Sequence, residues 1–172
     1  MTEPARKRAV YEDLFDIRQN MTGEIISGEL VVTPRPSRNH TVVAARLGYE
    51  IGPPYDFGRG GGPGGWVIIV EPEISFGENI LVPDLAGWKK ERFPIEEPHN
   101  WISVAPDWVC EILSPNSRPG IIDEQPLRRG LAGMAGHGLV RLLQSHGPLI
   151  GVVAVGSHKM DEIVLDHVHG QF

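Results

Sequence analysis

Three carboxylates stand in otherwise apolar, strand-like stretches of the sequence: Glu73, Asp84 and Glu111. A charged side chain in a half-buried strand is costly unless it is paired or holds a cation, because desolvation disfavours the ionised form. Three such residues on three consecutive predicted strands point to a shared purpose. Asp84 follows Val82-Pro83 and precedes Leu85-Ala86, while Glu111 lies in Val109-Cys110-Glu111-Ile112-Leu113. The side-chain period of two places Val109, Glu111 and Leu113 on one face and Cys110 and Ile112 on the other. With Asp84 and Glu111 opposite each other on paired strands, their oxygens suit a hard divalent ion such as magnesium. Such an ion polarises a phosphate, lowers the pKa of a water nucleophile and stabilises a leaving oxygen. A structural arrangement accounts for the same residues: Asp84 capping the turn after Pro83, and Glu111 paired with an arginine at a sheet edge. Spacing alone leaves both open.

The elements that would position these groups read as follows. Residues 8 to 20 carry Val10, Leu14, Phe15 and Ile17 at helical spacing, which predicts a short amphipathic helix. Glu24 to Thr33 predicts two short strands joined by a Ser27-Gly28 turn. Pro34 and Pro36 end that hairpin, and Ser37 to Asn39 offer capping side chains to a helix over 40–51 with Val43, Leu47 and Ile51 on one face. The glycine- and proline-rich run from Gly52 to Gly65 predicts a flexible connector. Its glycines have no Lys-Ser/Thr partner and lead into a strand rather than a helix, unlike a phosphate cradle. Three strands are expected over 66–73, 80–88 and 101–113, separated by a turn at Phe76 to Asn79 and a polar loop over 91–100.

The chain has 172 residues, 41% hydrophobic and 22% charged, the composition of one globular domain rather than of a disordered segment. A membrane span needs about eighteen consecutive apolar residues, a run that never occurs, and the first residues have no apolar stretch like a secretory signal. A cytoplasmic protein is expected. Cys110, the single cysteine, sits in the apolar run Trp108-Val109-Cys110 and reads as a buried inert thiol. The net charge of −6 gives no global attraction to a polyanion, so nucleic-acid binding would need a local basic patch or bridging metal ions. The Asp166-His167-Val168-His169 stretch lacks a ligand framework and reads as solvent-exposed terminal histidines.

Several motifs occur together in a fixed order. They are the hairpin run Gly23 to Ser37 followed by His40, Gly65-Trp66-Val67, Glu71-Pro72-Glu73-Ile74, Val82-Pro83-Asp84-Leu85-Ala86-Gly87-Trp88, and Pro106 to Ser117. In order and spacing they resemble the Uma-two family of restriction-type endonucleases over about residues 11 to 118, with 119–172 divergent. The resemblance implies an α/β fold of α+β type similar to PD-(D/E)xK nucleases, with a central mixed sheet flanked by helices and an N-terminal β-hairpin. It also implies that Asp84 and Glu111 are the two acidic residues on magnesium, or manganese in its place. Glu73 would be a third acidic catalytic group. Glu29 and His40 match family positions near the site, where a hairpin salt bridge and a helix-capping role are the structural readings.

The sequence departs from the family at one informative place. The general nuclease pattern puts a lysine two residues after the glutamate, where a cation stabilises developing negative charge, and here that residue is Leu113. In the family the equivalent lysine is displaced to the next helix, ahead of Leu-Tyr-Ala, yet no lysine occurs between Lys90 and Lys159. Arg128 and Arg129 are cations, but arginine stays protonated and is not geometrically equivalent to lysine; solvated surface arginines are the plainer reading. The closing strand motif, similar to Tyr-Trp-Leu-Val-Asp-Pro, is also missing. One explanation is a frameshift in the gene near Arg118. Reading one base later, codons for Pro126 to Arg129 permit Leu-Tyr-Ala and those for His137 to Leu139 permit Thr-Ala-Trp. The other is genuine divergence of the tail.

The function expected from these readings is a magnesium-dependent endonuclease acting on DNA phosphodiesters, impaired by loss of the family lysine. A homodimer is expected because cleavage of both strands takes two sites. The alternative is a catalytically inactive nuclease-fold protein that binds nucleic acid or a partner protein. A third reading is a small α/β binding module whose strand carboxylates are structural, with no metal-dependent change in stability.

Overall fold

In the computed structural model, residues 7–112 are described with their side chains, and residues 113, 138–139 and 151–156 as backbone. Arg128, Arg129 and the histidines from His137 onward lie outside the side chains described.

The chain opens with a six-residue 3-10 turn, Tyr11–Asp16, in place of the longer helix expected. Asp13 Oδ2 accepts the Val10 N–H at 2.8 Å and starts the turn, but Ile17 is already extended. Its side chain lies over Gly23, where an added Cβ would come within 1.9 Å of Ile17 Cδ1. The apolar residues thus pack onto the hairpin at a glycine, which requires the chain to straighten after one turn.

Strands β1 (Met21–Ile26) and β2 (Glu29–Pro34) form the expected antiparallel hairpin, with Ile26 opposite Glu29. Ser27 and Gly28 both have positive φ, 56° and 78°, the conformation of a tight type I′ turn whose twist matches the strands. Helix α1 (Arg38–Ile51) follows, its first turn capped by Ser37, whose Oγ accepts the His40 N–H at 3.4 Å. Val43, Ala44, Leu47 and Ile51 form its buried face. The connector after it begins as a π-helical turn, Gly52–Asp56, continuous with α1. It then folds back on itself: Arg59 N–H donates to Pro53 O at 2.8 Å and Gly64 N–H to Pro54 O at 2.9 Å.

The remaining strands are β3 (Trp66–Val70), β4 (Ile74–Phe76), β5 (Asn79–Leu81), β6 (Leu85–Lys89), β7 (Trp108–Leu113), β8 (Gly138–Leu139) and β9 (Gly151–Gly156). They divide between two sheets, a four-stranded β2-β1-β5-β4 and a five-stranded β3-β6-β7-β9-β8. Strand pairs within both are antiparallel, and an isolated parallel bridge joins Ile74 to Ile102. The architecture is α+β, as expected.

The expected long strands are interrupted, and prolines mark each break. Pro72 follows the end of β3, Pro83 separates β5 from β6, and Pro106 precedes β7. A proline has no N–H for a ladder and restricts the residue before it to extended geometry. The consequence at Pro83 matters most. What reads as a single strand over 80–88 instead leaves one sheet and enters the other, with Asp84 at the crossing.

The principal core lies between α1 and the five-stranded sheet. Val43, Ala44, Leu47, Ile51 and Tyr55 pack against Leu85, Trp108, Cys110 and Ile112, with Trp66 and Ile68 at its edge. On the opposite face of β6, Ala86 and Trp88 join Ile74, flanked by Ile69, Phe93, Ile102 and Val104. The Trp88 indole N–H donates to Val104 O at 2.7 Å and pins the segment leading into β7 to this second cluster. Cys110 is fully buried, and burial pushes its thiol well above the usual range, so it is an inert core residue.

Candidate active site

Asp84 stands where the chain passes between the sheets, and its carboxyl side chain is buried. Both its oxygens are engaged: Oδ1 lies 2.7 Å from His40 Nε2, and Oδ2 accepts the Ile112 N–H at 2.6 Å. The Asp84 backbone is held too, its carbonyl accepting the Glu71 N–H at 3.0 Å. His40 reaches this place because the Ser37 cap starts α1 three residues earlier, so its ring projects from the first turn toward the sheet crossing.

Glu111 comes from β7. The β6–β7 register pairs Leu85 with Cys110, and one residue further along brings Asp84 beside Glu111. Alternation sends Cys110 and Ile112 into the core and Glu111 to the other face. Burial first, then repulsion from Asp84 and Glu24, pushes the Glu111 carboxyl well above the usual carboxylate range, and it is also hydrogen-bonded with Asp84. Asp84 and Glu111 are therefore brought together.

Glu24 is the residue that sequence reasoning missed. It lies on β1 and its Oε1 accepts the Val82 N–H at 2.8 Å, two residues before Asp84. Burial and the nearby Asp84 charge raise its pKa, against the lowering effect of that hydrogen bond. A glutamate between Gly23 and Ile25 in a predicted hairpin has the pattern of an ordinary solvent-facing position. Only the pairing of β1 with β5, through Ile25 and Ile80, turns β1 into an inner strand and makes its side chains internal.

Glu73 and Glu29 are placed elsewhere. Glu73 falls in the bend between β3 and β4 rather than on a strand, and accepts a hydrogen bond from the Tyr11 hydroxyl. Burial and this carboxylate push the Tyr11 phenol up to about 12. Tyr11 also packs edge-on to Trp101, which stacks on His99. Glu29 is exposed at the start of β2, opposite Ile26. Glu71, exposed beside the crossing, has a positive φ of 49° and adds negative charge near His40. The hydrogen bond with Asp84 is the main reason that His40 is held more basic than a free imidazole, and the Asp84 and Glu71 charges add to it against partial burial.

Among the described residues, no three His, Cys, Asp or Glu side chains already sit closely enough together to hold an ion. Glu24, Asp84 and Glu111 nonetheless share one neighbourhood, and repulsion between these carboxylates adds to burial in raising Glu24 and Glu111.

A family model described as "Uma2: Putative restriction endonuclease" matches residues 10–123, a span that includes Glu24, His40, Asp84 and Glu111. The chain belongs to the Uma2 family. Among solved structures it is similar to a protein from Anabaena variabilis ATCC 29413, described as a putative nuclease belonging to DUF820. The two are 24% identical with a TM-score of 0.46, over 62% of this chain and 59% of the other. The chain thus spans about three fifths of that protein's length. No curated protein matches it. Among the described residues no helix is long and apolar enough to cross a membrane. The family match stops short of Arg128 and Arg129.

Proposed function

We propose that this Uma2 chain is a divalent-cation-dependent endonuclease that hydrolyses DNA phosphodiester bonds, with Asp84 and Glu111 holding magnesium or manganese. The observation that carries this reading is the meeting of the two carboxylates at the sheet crossing, where each is otherwise an unfavourable neighbour of the other. Magnesium, when bound, supplies Lewis acidity toward a phosphate oxygen and a water. His40 and the Ile112 N–H fix the Asp84 carboxylate in one orientation before any ligand arrives. That removes reorganisation from the reaction, and oriented groups of this kind account for much of the rate enhancement in water-excluded sites. The buried sheet face beneath Asp84, built from Leu85, Trp108 and Ile112, keeps bulk water from the rear of the site.

Leu113 in the position of the general nuclease lysine favours a second reading, an inactive nuclease-fold protein that binds nucleic acid or a partner protein through the same scaffold. Isothermal titration of magnesium and manganese into the full chain, beside an Asp84→Ala, Glu111→Ala double variant, separates the two. Saturable binding lost in the variant supports the enzyme, and a plasmid-cleavage assay then tests the chemistry. Absence of binding in both proteins rejects the enzyme in favour of the inactive scaffold. A homodimer, which would bring two such sites to the two DNA strands, is a further part of the proposal and is checked by sedimentation.

A further inference from the structure

Strand β2 is an outer strand of the four-stranded sheet, and its place in the hairpin fixes which of its backbone groups face outward. The two-residue turn makes Ile26 and Glu29 a hydrogen-bonded pair. In β2 the groups of Glu29, Val31 and Thr33 therefore point to β1, and those of Leu30 and Val32 point away. The pairing of β1 with β5 agrees, since Ile25, opposite Leu30, is the residue that turns to Ile80. The other edge of this sheet is covered: Ser75 N–H donates to Ile102 O at 2.9 Å, and Ile102 N–H to Glu73 O at 2.8 Å. Among the described residues, none hydrogen-bonds to the outward groups of Leu30 and Val32. Their side chains are exposed as well, at 41% and 40%. The strand carries little of what usually keeps sheet edges apart: it has no lysine and no bulge in its register, and its proline, Pro34, is its last residue.

We infer that β2 is the interface with a second copy of this chain, the two strands pairing antiparallel about a two-fold axis at Val31 and joining the two four-stranded sheets edge to edge. A two-fold interface must be self-complementary, and this edge is so in backbone and side chains alike. Centred on Val31, the pairing sets Leu30 against Val32 of the second copy, and the outward N–H and C=O of both residues all find partners. Sliding is limited at both ends: the Gly28 carbonyl already accepts the Ala9 N–H at 2.8 Å, and Pro34 has no N–H to give. Leu30 and Val32 meet their counterparts on one face and Val31 meets Val31 on the other, while Glu29 falls opposite Thr33 rather than another acid. The row Glu24–Val31–Val31–Glu24 then runs straight across the joined sheet on one face. Its two Glu24 Cα atoms lie about 14 Å apart, three strand spacings. Because Glu24 accepts the Val82 N–H close to Asp84, both candidate sites lie toward the same side, as cleavage of both strands of one duplex requires. That last step rests on the endonuclease reading; the association itself does not.

The test needs neither metal nor DNA, so its failure is distinct from a failure of the nuclease reading. Sedimentation equilibrium of the full chain at micromolar concentrations is expected to show a dimer. Val32→Lys sets a charge against Leu30 of the second copy without touching a bond to β1, and is expected to be a monomer that melts close to the wild-type temperature. Cross-linking fixes the register, and decides the matter even if Val32→Lys does not fold. Val31→Cys brings two thiols together at a non-hydrogen-bonded pair, where Cα atoms lie about 4.5 Å apart, within reach of a disulfide. Thr33→Cys sits opposite Glu29 instead and keeps its thiols apart. The native Cys110 is fully buried and does not compete. Under mild oxidation Val31→Cys is expected to run as a covalent dimer and Thr33→Cys as a monomer. A monomeric wild type overturns the inference and leaves the edge to another occupant. A dimer that a folded Val32→Lys leaves intact, or one that Val31→Cys fails to cross-link, overturns it as well, because the copies would then meet elsewhere.

Discussion

His40 Nε2 lies 2.7 Å from Asp84 Oδ1, so the first turn of α1 and the crossing between the two sheets are joined through a histidine and an aspartate. The pair has a definite sign in pH. His40 is held above its ordinary value of 6.5, chiefly by the hydrogen bond with Asp84. Its contribution to stability is therefore fully present below pH 6.5 and is lost as pH rises through the folded-state value. Two-dimensional NMR of the imidazoles is expected to show one histidine titrating above 6.5 that is absent in His40→Gln. In Asp84→Asn the same signal should move down. A His40 signal that titrates identically with and without the Asp84 charge would mean that the contact does not persist in solution.

Glu111 has the opposite relation to its neighbours. Burial, Asp84 and Glu24 all raise its pKa, so above the ordinary carboxylate value of 4.5 the folded chain holds a proton more tightly than the unfolded chain. Stability from this group is complete below pH 4.5 and declines as pH rises through the folded-state value. Glu111→Gln should flatten that decline and raise the metal-free melting temperature at neutral pH, while abolishing saturable manganese binding. Melting curves of the two proteins between pH 4 and 9 check the first part, and titration calorimetry the second. A Glu111→Gln protein that melts lower at every pH would show that a cationic partner, rather than repulsion, surrounds the carboxylate.

Much of this arrangement was legible in the sequence. The Ser27-Gly28 turn, the apolar face Val43-Leu47-Ile51 and the alternation around Glu111 are local patterns with a fixed period, and local geometry decides them. What could not be read was which strands become neighbours. Pro83 is plainly visible, yet a proline within a strand-like run is compatible with a bulge or an edge as well as with a change of sheet. Glu24 was missed for the same reason, because an inner and an edge strand of a hairpin share one pattern until a third strand pairs with one of them. Glu73 read as the last residue of a strand over 66–73; the left-handed backbone at Glu71 and the proline at 72 turn the chain away first.

Tyr11 offers a test of whether Glu73 stands apart from the cation site. Its hydroxyl donates to Glu73, and the phenol is pushed up to about 12 from 10.0. The contribution of the neutral phenol is present below pH 10 and lost as pH rises toward 12. Ultraviolet titration should show late tyrosine ionisation that diminishes in Tyr11→Phe, the remainder coming from Tyr55, which burial also raises. That variant is expected to lose about 1 kcal/mol of stability, the net worth of a partly exposed hydrogen bond, with manganese affinity unchanged. A large fall in affinity would return Glu73 to the site.

Leu85 tests the support beneath Asp84. It is fully buried between α1 and β7, directly after the aspartate. Leu85→Ala removes core packing and leaves a cavity, which costs about 2–5 kcal/mol, measured by urea unfolding. Because the cavity adjoins the crossing, cation affinity should weaken even at temperatures where the variant remains folded. Val43→Ala, in the same cluster but on α1, should lower stability with a smaller effect on affinity, since its deletion is one helix removed from the carboxylates.

The gene itself supplies the last test. The family match includes the carboxylates and ends at residue 123. A frameshift near Arg118 predicts that the nucleotide sequence after Ser117 contains, in another frame, Leu-Tyr-Ala preceded by a lysine and followed by a closing strand similar to Tyr-Trp-Leu-Val-Asp-Pro. A chain expressed from the restored frame should then cleave plasmid DNA with manganese at least a hundredfold faster than the present chain, on the order of what one electrostatic stabilising group contributes to catalysis. If no alternative frame reads as family-like, the tail is genuine divergence. On the proposed reading, the carboxylates at the crossing would then serve a cation without the lysine, and manganese binding with slow cleavage is the expected phenotype.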